Sequence, residues 1–313
     1  MTNGLPTVLV TGASGFVGGH LTRALARNGW AVRRTVRTAS GSDDEIVIES
    51  IGPTTRWEQA LVGVDAVIHL AARVHHQDEE HAVELYRSVN IEGTLQLARC
   101  AASRGVRDFI FVSTVLVHGR TSNYRPPFRE SDILTPRGLY GMSKAAAEAG
   151  LNSLAQSGGM NVTVVRPPLI YGSGAKGNFA LLEKAVRVGV PLPFARIHNR
   201  RAFVAVENLA SFILHRLSHP GKKFDIFLVA DQEQVSTPEF IRRLAKSAGA
   251  SPRLFSIPPG LLSALLKVSG RKEINDSLVG SLELDLSKAA STGWRPQVTL
   301  DEGLELALRR SDT

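Results

Sequence analysis

Along the chain, short apolar runs alternate with stretches of helical period, a pattern that predicts a doubly wound α/β fold. Leu5-Pro-Thr-Val-Leu-Val10 is apolar and β-branched, as expected of a strand buried on both faces of a parallel sheet. Gly19–Ala26 follows with helical spacing, Ala31–Arg37 predicts a second strand and Glu45–Glu49 a third. Trp57–Val62 reads as a short helix, and Asp65–Ala72 as the fourth strand. A helix opens at Val89-Asn-Ile-Glu-Gly-Thr94 and runs through Leu97 and Ala101, and Asp108–Thr114 is the fifth strand. Gly119–Arg137 is polar and carries Pro126, Pro127 and Pro136, which predicts a loop. Tyr140–Ser153 is an alanine-rich helix. Asn161–Pro168 is the sixth strand, ended by its prolines. Beyond it the pattern changes. The expected division is therefore residues 1–168 and residues 169–313, with parts of the second region returning to the sheet. Within that region Gly260–Val268 is amphipathic and predicts a helix.

Two stretches carry chemistry. The first strand runs straight into Thr11-Gly-Ala-Ser-Gly-Phe-Val-Gly18 and then a helix, the context of a dinucleotide-binding fingerprint. Gly12 permits the tight turn, Gly15 lets backbone amides approach a pyrophosphate, and Gly18 lets the helix pack close. Downstream, Tyr140-Gly-Met-Ser-Lys144 sets a phenol and an ammonium one turn apart on a helix face. A free phenol titrates near pH ~10. An ammonium held close is expected to lower that value toward the range useful for acid–base catalysis. The same spacing also occurs on ordinary solvated helix faces.

With this turn and this pair, the chain resembles the extended short-chain dehydrogenase/reductase family over nearly its whole length. Within the family it is most similar to the sugar-nucleotide epimerases, dehydratases and 4-ketoreductases. The resemblance implies a Rossmann-type sheet with a smaller C-terminal substrate-binding region, a nicotinamide cofactor and a UDP-sugar substrate. It makes Thr114, Tyr140 and Lys144 the catalytic set, with Ser113 beside the cofactor; a one-residue slip would exchange Ser113 and Thr114. The cofactor contacts it implies are Gly12, Gly15, Phe16, Val17 and Gly18 in the turn and Leu70, Ala71 and Ala72 after the fourth strand. Arg37, Ser113, Tyr140, Lys144 and Pro167 complete that set. Substrate contacts carried over are Arg73, Thr114, Asn178 and Arg201, and Arg271 is a further candidate for a phosphate. Asn90 matches a family asparagine that props a helix backbone, and the helix from Tyr140 forms a dimer interface in the family, which implies a homodimer.

Departures from the family pattern sharpen the expectation. Where NAD-specific relatives end the second strand with a carboxylate, this chain has Val36 and then Arg37. An arginine there suits a 2′-phosphate and favours NADP(H), with NAD(H) the alternative. The plainer reading makes Arg33, Arg34 and Arg37 solvated strand-end charges. Epimerases read Arg-Tyr-Phe-Asn where this chain reads Arg166-Pro-Pro-Leu169, and Ala71–His75 is similar to the bacterial 4-ketoreductase branch. The resemblance thus implies reduction of a UDP-linked 4-keto-6-deoxy amino sugar in surface-polysaccharide synthesis. A UDP-hexose 4-epimerase retaining NAD, and a non-catalytic NADP(H) sensor, are the alternatives.

Composition narrows the partners. Lys and Arg number 37 against 29 Asp and Glu, a net charge of +8. The cations are dispersed and no nucleic-acid motif accompanies them, so two polyanionic nucleotides account for the surplus without nucleic acid. Hydrophobic residues at 43% suffice for a sizeable core. Cys100 is the single cysteine, which excludes an intrachain disulfide and fits a cytoplasmic protein. Met1–Pro6 is uncharged and leads directly into a strand, so no signal peptide is expected. No apolar run approaches the ~20 residues that span a bilayer, so no membrane partner is expected. His75, His76 and His81 lack a second ligand cluster, and no metal is expected.

Overall fold

The computed structural model describes residues 5–74, 82–268 and 272–309. The first strands are β1 (Thr7–Thr11), β2 (Ala31–Val36), β3 (Glu45–Val47) and β4 (Ala66–His69). They are followed by β5 (Asp108–Val112), β6 (Asn161–Arg166), β7 (Leu169–Tyr171), β8 (Phe203–Ala205) and β9 (Phe224–Leu228). Seven of these form one sheet in the order β3-β2-β1-β4-β5-β6-β9, and every pairing from β3 to β6 is parallel. The order reverses between β1 and β4, so the carboxyl ends of these two strands flank the crevice where doubly wound sheets hold ligands.

Helices cover the sheet because its strands are apolar on both faces. Val8, Leu9 and Val10 have no exposed surface, and neither do Phe109, Phe111, Val162 and Val164. Helix α1 (Phe16–Arg27) follows the glycine turn, and α2 (Ala82–Tyr86) leads into a π-wound segment, Arg87–Gly93, that continues as α3 (Thr94–Ser103). Helix α4 (Gly138–Ser157) buries Ala147, Leu151 and Ala155, spaced by four, against Leu97, Ala98 and Ala101 of α3 and the β5 and β6 side chains. A Cβ added at Gly150 would lie 2.7 Å from the Leu95 methyls, so a larger residue there would make the Leu95 side chain shift.

Two compact units divide the chain. One comprises the described parts of Met1–Val117 with Ile133–Arg166 and Ala210–Phe227; the other comprises His118–Asp132, Pro167–Leu209 and the described parts of Leu228–Thr313. The second unit contains the parallel pair β7–β8, α5 (Asn178–Val188), α7 (Thr237–Ser247), α8 (Pro259–Val268), α9 (Lys272–Leu278), α10 (Ser287–Ser291) and α11 (Leu300–Leu308); α6 (Val206–Ser218) begins in it. Its core stacks Phe203 on Phe240 at 4.0 Å, with Tyr171, Phe179 and Leu304 around them. Buried Asp231 accepts from the Tyr171 hydroxyl at 2.7 Å and from Asn208 at 2.7 Å. Asn208 in turn bonds the backbone of Gln297 and Val298, which ties the C-terminal segment to α6.

Several predicted boundaries move. Trp57–Val62 is a set of hydrogen-bonded turns rather than a helix: Leu61 bonds Trp57 at 3.0 Å, and Gly63, at φ +65°, follows. The predicted Gly260–Val268 helix is present, and β4 and β5 end at His69 and Val112, short of the predicted ends. The residues released, Leu70–Ala72 and Ser113–Thr114, lie beyond the ends of their strands. Helix α4 begins at Gly138 and ends at Ser157, longer than predicted at both ends. Among the described residues no helix is long and apolar enough to cross a membrane.

Candidate active site

The glycine turn is built to a tolerance that side chains would break. Gly12 has φ +70°, and a Cβ there would lie 2.9 Å from the Ala71 amide nitrogen. A Cβ at Gly18 would lie 2.2 Å from the Gly12 carbonyl oxygen. Helix α1 therefore starts directly against the turn, with Gly15 as its N-cap and no acidic residue in its first turn. Its exposed amides and dipole are unopposed, the arrangement that receives a pyrophosphate. Phe16 and Val17 open the helix and are partly buried. This cradle fits a dinucleotide.

A buried hydrogen-bond chain starts at the same turn. The Ala71 amide donates to the Thr11 hydroxyl at 3.3 Å, and that hydroxyl meets His69 Nδ1 at 2.7 Å. His69 Nε2 meets the Thr94 hydroxyl at 2.9 Å, and Thr94 donates to the Asn90 carbonyl at 2.8 Å. Asn90 lies in the π-wound segment, where its side chain bonds both backbone groups of Arg73 and donates to the Ser143 hydroxyl at 3.0 Å. Ser143 closes the chain on the Tyr140 carbonyl at 2.9 Å. Burial, and then the Lys144 ammonium, push the His69 imidazole down to about 3, so it is neutral. Asn90 thus links the backbone of Arg73, which follows β4, to the Ser143 side chain of α4.

The predicted catalytic pair has a different electrostatic arrangement from the one expected. Lys144 is buried, donates to the Val112 carbonyl at 2.8 Å, lies 4.3 Å from the centre of the Phe111 ring and 6.0 Å from that of Tyr140. Burial pushes its ammonium down to about 7, against the opposing pull of Glu148. The phenol is not acidified: burial, with Tyr86 adding to it, raises Tyr140 above its ordinary value. The physical reason is that desolvation of the ring outweighs an ammonium turned toward a strand carbonyl. Ser113 and Thr114 are both buried, but their hydroxyls are used differently. That of Ser113 donates to the Glu148 carboxylate, while that of Thr114 accepts from the Leu116 amide at 3.2 Å.

Other predicted contacts are scattered. Arg37 is exposed at the end of β2 with no ion-pair partner among the described residues, while Arg34 pairs with Asp44 at 2.5 Å and Arg33 bonds the carbonyls of Ala60 and Val62. Leu70–Ala72 follow β4 beside Gly12, and Arg73 is half-buried with its guanidinium 5.9 Å from the centre of the Tyr86 ring. Pro167 is buried just after β6. Asn178, exposed at the start of α5, and Arg201, buried, both lie in the second unit. Arg201 donates to the carbonyls of Asp276 and Gly280 at 2.9 and 2.6 Å, and burial pushes it down to about 10. His75, His76, His81 and Arg271 lie outside the described residues. Sequence reasoning missed Glu148, Arg166 and the His69 chain. For Glu148 a signal existed: it stands one turn beyond Lys144, directly after the buried Ala147.

A doubly wound parallel sheet with a glycine-turn cradle at its first strand defines a dinucleotide-binding enzyme fold. The chain belongs to the NAD dependent epimerase/dehydratase family, whose pattern matches residues 8–230, and it is an enzyme of that family. It is 38% identical over 306 residues to a UDP-glucose 4-epimerase of Vibrio cholerae, covering 96% of this chain and 93% of that protein. It is 27% identical to the N-acetyl-alpha-D-glucosaminyl-diphospho-ditrans,octacis-undecaprenol 4-epimerase of Escherichia coli O157:H7, covering 96% and 94%. Among solved structures, a UDP-glucuronic acid 4-epimerase from Bacillus cereus in complex with NAD superposes with a TM-score of 0.77 at 22% identity, covering 96% of this chain and 94% of that one.

Proposed function

We propose that this protein is an NADPH-dependent reductase of the C4 ketone of a UDP-linked 4-keto-6-deoxy amino sugar, acting in the cytoplasm in surface-polysaccharide synthesis, as a homodimer. The observation that carries the reading is the end of β2, where buried Val36 stands in place of a ribose-binding carboxylate and exposed Arg37 has no ion-pair partner among the described residues. A guanidinium there suits a 2′-phosphate. The turn from Gly12 to Gly18 would hold the pyrophosphate, with Leu70–Ala72, Pro167 and Lys144 along the rest of the cofactor. When bound, the nicotinamide supplies the hydride. Tyr140, whose phenol burial keeps protonated, gives its proton to the oxygen on C4. Thr114 holds that oxygen by a hydrogen bond as charge develops on it. Arg73, Asn178 and Arg201 are assigned to the nucleotide-sugar.

The test is the absorbance of NADPH added with a UDP-4-keto-6-deoxy sugar. Stoichiometric loss of NADPH supports the reductase. A second reading, a UDP-hexose 4-epimerase retaining NAD, is favoured by the 38% identity to the Vibrio cholerae protein. Interconversion of UDP-hexose epimers without added cofactor or net oxidation would replace the reductase by the epimerase.

A further inference from the structure

We propose that Glu148 is a positioning residue that favours the charged form of Lys144 and, through Ser113, fixes Thr114. The catalytic consequence rests on the reading above. The geometry is a clamp of one helix on one strand end. Lys144 and Glu148 are one turn apart on α4, on one face. They grip consecutive residues of the β5 end: Lys144 Nζ donates to the Val112 carbonyl at 2.8 Å, and the Ser113 hydroxyl donates to Glu148 Oε1. The Ser113 amide also bonds the Val165 carbonyl at 2.7 Å, so Thr114 leaves a segment held from two sides. Helix α4 also carries Tyr140, so the clamp sets both proposed acid–base hydroxyls in one frame.

Charge gives Glu148 a second task. Its carboxylate is paired with Arg166 of β6, Nη2 to Oε2 at 2.5 Å and Nε to both oxygens at 3.2 Å, and both side chains are at most 4% exposed. A buried ion pair contributes little net stability compared with a well-packed apolar pair, so its presence in this alanine-lined seam points to another use. The groups facing Lys144 are Tyr140 and Glu148 on its own helix and neutral His69 on β4, with Arg166 of β6 behind Glu148. Glu148 is the single anion in this set. Without it, Lys144, already pushed down to about 7 by burial, would lose the one charge that opposes that push and would give up its proton at lower pH.

The test is direct titration of Lys144 by NMR of protein labelled at lysine Cε, the resonance being identified by its loss in Lys144→Arg. In Glu148→Gln, whose amide oxygen still accepts from Ser113, the Lys144 midpoint should fall by about 1–3 pH units. In Glu148→Asp, which keeps the charge, it should stay near the wild-type value. A merely structural role would loosen the site, admit water and raise the midpoint instead. An unchanged or raised midpoint in Glu148→Gln, or one in Glu148→Asp as low as in Glu148→Gln, overturns the proposal. Should Glu148→Gln not fold, Arg166→Gln is the second variant. It removes a nearby cation and leaves Glu148 unshared, so the midpoint should rise by about one unit. A midpoint that stays or falls there overturns the proposal. This titration needs no substrate, so it stands or fails separately from the reductase assay. In turnover, loss of kcat with rising pH should begin at lower pH in Glu148→Gln than in wild type.

Discussion

His69 Nε2 lies 2.9 Å from the Thr94 hydroxyl, and this single contact assigns the imidazole tautomer. Thr94 spends its proton on the Asn90 carbonyl, so it must accept from His69, and Nε2 carries the hydrogen. Nδ1 is then the acceptor for Thr11. Folding holds this ring neutral, its value down at about 3 against an unfolded value of 6.5. The folded group is depressed, so its stabilisation is full above pH ~6.5 and is lost as pH falls from there toward about 3. Between pH ~6.5 and ~5 the loss should be about 2 kcal/mol, read as a lower denaturant midpoint that His69→Gln largely abolishes. Lys144 does not confuse this window, because its depressed value acts between 10.5 and about 7. A wild-type midpoint flat across that range, or a nitrogen-15 spectrum showing the Nδ1–H form, would contradict the chain.

Tyr140→Phe removes one oxygen from a partly buried ring and leaves the glycine turn untouched. Turnover should fall on the order of 10²–10⁴-fold, the usual contribution of a positioned acid–base group. Binding of dinucleotide, measured by fluorescence or calorimetry, should change little. A variant with near-normal kcat removes Tyr140 from the mechanism.

The strands of the first unit were legible because a strand buried on both faces must be apolar throughout, and Val8–Val10 or Phe109–Val112 leave no other reading. Trp57–Val62 was not. Its apolar residues fit a helix or a wrapped turn equally, and the choice was made by Trp57 and Leu61 entering the core below β1 and β4. The π-wound segment is invisible to a 3.6-residue pattern, and the partners that Asn90 finds from within it, Arg73 and Ser143, are 17 and 53 residues away in the chain. Glu148 was overlooked because a carboxylate on a helix reads as solvated; its partner, Arg166, is 18 residues away and meets it only once α4 lies on β6. Tyr140, Lys144 and Thr114 were found through motifs, yet the direction of the phenol shift depends on burial, which no spacing reports.

Arg37 separates the two nicotinamide cofactors in a single titration. It stands exposed after buried Val36, while its neighbours Arg33 and Arg34 are held by Ala60, Val62 and Asp44. Arg37→Ala should therefore weaken NADPH by roughly 1.5–3 kcal/mol, the scale of a hydrogen bond to a charged group. NADH should bind as before. Equal weakening of both cofactors would mean that Arg37 does not read the 2′-phosphate, and the epimerase reading would gain.

Two adjacent glycines make the sharpest test of the cradle, because the same substitution should act in opposite directions. A Cβ on Gly18 would sit 2.2 Å from the Gly12 carbonyl oxygen and 2.6 Å from the Ala13 Cα. Both are backbone atoms of the turn, so no side chain can swing aside and α1 must move off the turn. A Cβ on Gly19, one residue on, meets only the tip of the Arg23 side chain, at 3.8 Å. Both residues lie inside α1, where alanine is favoured over glycine by about 0.5–1 kcal/mol. Gly19→Ala should accordingly stabilise by about that amount and leave dinucleotide affinity unchanged. Gly18→Ala should lower the unfolding midpoint and cost most of the dinucleotide binding, since displacing α1 takes its N-terminal amides away from the phosphates. Paired denaturant melts and NADPH titrations decide the matter. If Gly18→Ala binds as wild type does, the helix end is not the phosphate site, and the pyrophosphate must be held by the turn residues alone.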